Sequence, residues 1–184
     1  MVDKTKKCLI DAKKNKQKHF LLIQKANIQA RKQAMIDESK SIIHFASGVA
    51  GLSPIPLSDM PIITTAQMAM IYKMNRAFKV KMEDSVATSL ITGLLGFTAI
   101  GQTAKTIVAN LIKCIPGVGS VMGAVISGAT AAIITEGIGF AYLKALEKCF
   151  NDETGEVKLP AMDTIIPLFK ESYLSLDTIK KLKD

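Results

Sequence analysis

The chain has 184 residues, enough for one domain with a sizeable core or for a domain and an arm. An apolar content of 48 % and a mean hydropathy of +0.25 lie between the values usual for a soluble helical protein and a membrane protein. Residues 1–40 hold 11 Lys and Arg against 4 Asp and Glu while the rest is close to neutral, so the +8 charge describes a basic arm ahead of an apolar body.

Cys8, Cys114 and Cys149 are odd in number, far apart and in no CxxC pair. They argue against a disulfide scaffold and a zinc site and for a reducing compartment. Residues 1–18 are lysine-rich and nearly free of large apolar groups, which reads most simply as a solvated, partly disordered arm. Attraction to anionic lipid headgroups, attraction to RNA, and a linker to a missing partner domain stay open beside that. No aromatic residues alternate with the lysines, so base stacking is poorly supported and nucleic acid is not an expected partner. No signal peptide is expected, because the first apolar run, Phe20 to Ile23, is too short. Val2 excludes the myristoylation motif and the terminal KKLKD is no prenylation signal, so membrane contact would run through the chain's own helices. Lys18 to Phe45 reads as an amphipathic helix, with Leu22, Ala26, Met35, Ile42, Ile43 and Phe45 among charged residues.

Residues 48–61, GVAGLSPIPLSDMP, break it: Pro54, Pro56 and Pro61 remove three backbone donors, and Gly48 and Gly51 loosen what precedes them. Ser58 or Asp59 caps the next helix with Pro61 in its first turn. That helix runs to about Lys79, with Ile63, Ala66, Met70, Met74 and Ala77 on one face. Gln67 lies on or beside that face and needs a partner if buried. The run of Met60, Met68, Met70, Met74 and Met82 is either an adaptable partner surface or plain core filling.

Glu83 or Asp84 opens another helix, and Ser85 to Ala104 carries no charge. Cys114 to Thr135 is uncharged too, so by length both are transmembrane candidates or buried bundle helices. A short helix, Thr103 to Ile115, lies between them, and Pro116-Gly117 breaks the chain. Small residues then recur every fourth position: Gly119, Gly123, Ser127, Ala131, Thr135 and Gly139. Aligned on one helix side, they let a neighbouring backbone come close, within the chain or in an oligomer. Glu136 is the acid in this apolar stretch: an intramembrane carboxylate, or a polar-edge residue paired with Lys105 or Lys113. After Cys149 a polar turn surrounds Gly155, and Pro160 to Asp184 adds one or two surface helices. No convincing strand is read. The class is all-α, a compact multi-helix bundle around a long glycine- and alanine-rich central helical hairpin. Its parts are residues 1–34 (arm and start of the amphipathic helix), 35–150 (helical domain) and 151–184 (polar turn and helical tail).

Two stretches imitate nucleotide sites. Gly96 to Thr103, GFTAIGQT, has P-loop spacing, but Gln102 stands where the lysine that meets the β- and γ-phosphates belongs. Gly117 to Gly123, GVGSVMG, has its third glycine one place late for a dinucleotide fingerprint and no βαβ unit around it. His19 and His44 stand in no triad and in no metal-ligand spacing. No catalytic residue, metal or cofactor is therefore expected. An enzyme would need a pocket joining Glu136, His44 or Asp59.

Pro54 to Met74, PIPLSDMPIITTAQMAMIYKM, is similar to the first signature of the YcjF-like family, domain of unknown function 697. Ile115 to Lys148 resembles its second signature, in the right order, and the resemblance covers roughly residues 35–150. The matching positions are Pro54, Pro56, Asp59, Pro61, Gln67 and Met70, then Pro116, Gly117, Gly119, Gly123, Thr135, Gly139 and Tyr142. The resemblance implies a helical companion of small bacterial Era-like GTPases, or an inner-membrane-associated protein, with none of these residues catalytic. No GTPase domain is read upstream, so a small GTPase partner would be a separate chain. The first expectation is thus a non-catalytic, membrane-associated module at the bacterial cytoplasmic membrane, its basic N-terminus on the cytoplasmic side and lipids its partner. The alternative is a soluble cytoplasmic adaptor that binds a GTPase or another protein.

Overall fold

The computed structural model describes residues 2–52, 60–80, 88–89, 92–94 and 128–174. They include the helices α1 (Val2–Gly51), α2 (Met60–Ala77), α3 (Gly128–Lys148) and α4 (Met162–Leu174), and residues 88–89 and 92–94 are helical as well. The chain is all-α. Among the described residues, pairing of the β kind is confined to an isolated antiparallel bridge between Phe150 and Val157.

Helix α1 differs from the expected disordered arm, since it starts at Val2 and runs 50 residues without a break. At about 1.5 Å per residue it is roughly 75 Å long. The physical reason is in its composition: no proline precedes Pro54, and Lys, Ala, Gln and Leu are good helix formers. Its second half turns Met35, Ser39, Ile43, Ala46 and Ala50 inward at helical spacing. From Ile10 to Asn27 every residue is exposed, so the first half projects beyond the bundle.

Helix α2 includes Pro61 in its first turn and buries Gln67, Met70, Ile71, Met74 and Asn75. Met70 and Met74 are therefore core. At its end Lys79 takes a left-handed conformation, φ 53°, and Val80 N–H donates to Asn75 O at 2.9 Å while Lys79 N–H donates to Arg76 O at 3.0 Å. That is a Schellman stop with lysine in the place glycine usually holds.

Helix α3 is the centre. Every residue from Gly137 to Leu143 is buried, so all sides of the helix are covered by protein. It packs against α1, α2 and α4, and α1 also packs against α2. Full burial of each large side chain there, such as Ile138, Leu143 and Leu146, contributes about 1.5–3 kcal/mol before entropy is set against it. Leu94 belongs to the same core. In α4, Ile165, Phe169 and Tyr173 face inward, the last two rings stacked at 5.7 Å.

The turn from α3 to α4 is pinned to α1. Asn151 Oδ1 accepts from the N–H groups of Glu153 and Thr154, and Gly155 sits at φ 71°, where a side chain is disfavoured. Asp152 Oδ1 accepts from Lys32 Nζ at 2.8 Å and Gln29 Nε2 at 3.0 Å, while Lys32 also stands 4.8 Å over the Phe150 ring. This clamp marks where α1 leaves the bundle.

Candidate functional site

The two signature segments meet where α2 lies on α3. Gln67 Nε2 donates to Thr135 Oγ1 at 3.1 Å, and two turns further on Tyr142 OH donates to Asn75 Oδ1 at 2.6 Å. Both partners advance along their helices in the same sense, so α2 and α3 run parallel here. Between these polar rungs sits Gly139. A Cβ on it would stand 2.6 and 2.9 Å from the two Cγ atoms of Ile43 and 2.9 Å from Met70 Sδ. Glycine here is what lets α1, α2 and α3 approach to this distance.

Gln67, Met70, Thr135, Gly139 and Tyr142 are thus brought into one junction, and Pro61 opens the helix that supplies two of them. Pro54, Pro56, Asp59, Pro116, Gly117, Gly119 and Gly123 lie outside the described residues, as do both phosphate-loop imitations. Asn75 was not singled out from the sequence, and Ile43 was read as an apolar helix position but not as part of this junction. The signal for Ile43 was its place on the α1 stripe, whereas nothing in the spacing distinguished Asn75 from a solvated polar residue. The described part of the small-residue face, Ala131, Thr135 and Gly139, is buried within the bundle.

The junction is buried and its side chains are uncharged. Burial pushes the Tyr142 phenol well above its ordinary range despite the bond to Asn75, and pushes Tyr173 up to about 12. Burial likewise raises the half-buried Cys149 thiol, which leaves it a poor nucleophile. Asn75 Nδ2 and Ser39 Oγ are buried without a hydrogen-bond partner among the described residues.

Lys105 and Lys113, the partners expected for Glu136, lie outside the described residues. Glu136 Oε1 is 2.9 Å from His44 Nδ1, a contact between α3 and α1 at the bundle surface. The His44 ring edge also meets Phe140 at 5.9 Å. With His44 61 % exposed, a protonated pair here is a screened surface contact. Asp59, also named for an enzyme pocket, lies outside the described residues. Among the described residues, no group of three or more His, Cys, Asp or Glu stands close enough to hold a metal ion.

Two apolar features mark the surface of the described residues. A groove of about 620 Å³ runs between α1 and α2, floored by Ile42, Ala46, Val49, Ala66, Ala69 and Met70. Glu38 and Lys73 mark its polar edge, and Lys73 Nζ stands 5.6 Å over the ring of Phe45, which is 69 % exposed. The second surface is the projecting half of α1, where Ile10, Phe20, Leu21, Leu22 and Ile23 are all more than half exposed. Among the described residues, no helix is long and apolar enough to cross a membrane. Ser85 to Ala104 and Cys114 to Thr135 fall mostly outside those residues.

A family model described as Domain of unknown function (DUF697) matches residues 15–169. The chain is also 28 % identical over 102 residues to Magnetosome membrane protein 22 of Magnetospirillum gryphiswaldense. That match covers 55 % of this chain and 52 % of the relative, so the chain spans about half the length of the curated relative it matches. No solved structure matches.

Proposed function

As the chain belongs to the DUF697 family, we propose that it is a non-catalytic, membrane-associated helical module that acts with a separate small GTPase. The observation that carries the reading is the junction itself. Gln67, Thr135, Gly139 and Tyr142 are occupied by packing and by hydrogen bonds to one another's helices, and Met70 adds only an apolar surface to the neighbouring groove. Such a module acts through its surfaces. The similarity to a protein named for the magnetosome membrane supports the membrane as one of them, and the N-terminal lysine excess favours the cytoplasmic side.

The test is where the full chain goes when bacterial cells that express it are broken. Recovery mainly in the membrane pellet supports the reading, and recovery wholly in the soluble fraction refutes it. Guanine-nucleotide-binding activity that co-purifies with the solubilised chain supports the GTPase; its absence with both GTP and GDP present removes it.

A soluble adaptor is the second reading, and the α1–α2 groove favours it. An apolar floor with Glu38 and Lys73 at its edge suits an amphipathic helix of a protein partner. Loss of GTPase capture on Ala66→Glu, with the membrane pellet empty of the chain, would make this the function.

A further inference from the structure

The projecting half of α1 is a surface that the described bundle leaves uncovered. Residues 10–27 are all exposed, and they carry Lys13, Lys14, Lys16, Lys18 and Lys25 against Asp11. In their midst stand Phe20, Leu21, Leu22 and Ile23, between 52 % and 60 % exposed. A soluble helix gains nothing by holding four large apolar residues in water. Something of matching chemistry covers them.

We infer that this segment, Ile10 to Asn27, is the element that seats the protein on an anionic lipid surface; the inference rests on the membrane-associated reading above. Two features of the helix select that partner. Lysines stand on both sides of the apolar residues, so ammonium groups reach headgroups while their methylene stems lie along the apolar boundary. Successive residues on a helix also differ by about 100°, so Phe20 to Ile23 form a collar round the helix and not a stripe. Whichever way the arm rolls, at least one of the four faces the bilayer. A collar suits a fluid interface, which does not demand one face.

A second copy of the arm fits poorly. The stripe that α1 turns toward the bundle extends outward through Ile10, Lys14, Gln17, Leu21 and Gln24, so a pairing helix would bury a lysine and two amides. Two such arms would also bring like charge together. RNA fits less well, because His19 and Phe20 are adjacent and are the only rings in the segment, so successive bases would have little to stack on. The clamp of Gln29 and Lys32 on Asp152 fixes where the arm departs, so the arm's orientation sets the bundle's pose on the surface.

The experiment uses the full chain and flotation with vesicles, either pure phosphatidylcholine or phosphatidylcholine with roughly one-third phosphatidylglycerol. The wild type is expected to float with the anionic vesicles, and the binding to weaken steeply with salt. Replacing Lys13, Lys14, Lys16 and Lys18 together by Gln should lower the partition coefficient about 100-fold or more, at roughly five-fold per lysine. Phe20→Ser with Ile23→Ser should lower it at least about 10-fold and leave the salt dependence in place. Neither variant should move the unfolding midpoint of the bundle, because these side chains pack on nothing within it. Unchanged flotation of both variants would overturn the inference while leaving membrane association standing, since the wild type still binds. A wild type that floats with neither vesicle and is absent from the membrane pellet would remove both. Dimerisation abolished by Phe20→Ser, or tight binding of single-stranded RNA without flotation, would also overturn it.

Discussion

Replacing Gly139 by alanine sets two known effects against each other at one position. In an ordinary helix interior the change stabilises by about 1 kcal/mol. Here the new methyl would stand 2.6 and 2.9 Å from Ile43 Cγ1 and Cγ2, closer than carbon atoms tolerate. Met70 Sδ, at 2.9 Å, is near the free end of a flexible chain and can move away. Ile43 cannot: it is fully buried, and its branched Cβ fixes both Cγ atoms to one rotamer on α1. Overpacking of this kind costs about 1–3 kcal/mol, so Gly139→Ala should destabilise by about 1 kcal/mol net. Ile43→Val keeps both offending atoms and should bring no relief. Ile43→Ala removes them, at about 2–5 kcal/mol for the cavity. In that background Gly139→Ala should change sign and stabilise by about 1 kcal/mol, a coupling of about 2 kcal/mol. Urea unfolding of the four combinations, followed by circular dichroism with slopes compared, measures it. Stabilisation by Gly139→Ala in the wild type, or additivity within about 0.5 kcal/mol, would refute a close approach of α1 to α3 at Gly139.

Thr135→Val should destabilise by about 1–3 kcal/mol, because it strands the Gln67 amide in the core, and Gln67→Met added to it should recover most of the loss in the same unfolding assay. Lys79→Gly should stabilise by about 1 kcal/mol, since it relieves a left-handed lysine at the end of α2; a fall in the urea midpoint would contradict the Schellman stop. Tyr142 and Tyr173 are both raised on folding, so their contribution is complete below pH 10 and is lost as pH climbs from there through about 12 for Tyr173 and higher for Tyr142. Alkaline unfolding should steepen above pH 10, and Tyr142→Phe should make that slope shallower. Glu136→Gln should change stability by less than about 1 kcal/mol, as suits a contact to a mostly exposed imidazole; a larger loss would make the pair a structural element.

The all-α class was legible because no stretch alternates with period two, and because proline and glycine punctuate long helical patterns. The α2 face was legible from spacing, since Met70 and Met74 recur every four residues and both are core. Gln67 was legible as a problem needing a partner, while the partner itself, Thr135, lies on another helix and no local pattern links them. Gly139 was visible as one of a row of small residues. That row does not say whether the neighbour brought close is a lipid-embedded helix, a second subunit or α1 of the same chain. Position in three dimensions decides it, and at Gly139 the neighbour is Ile43. The arm was misread for a different reason. Lysine density suggests solvation, but lysine is also a good helix former, and a helix already built on the bundle from Met35 onward supplies the costly nucleus for the turns before it.

The most direct test of the whole account is hydrogen–deuterium exchange of the full chain, free and bound to anionic vesicles. A module that binds through its arm and keeps its bundle intact predicts fast exchange at residues 10–27 in the free protein and marked slowing on binding. Amides from Ala131 to Leu146 should be slow in both states and unchanged. Unprotected arm amides in the bound protein, or exchange at Ala131 to Leu146 that quickens as the bundle opens toward lipid, would contradict it.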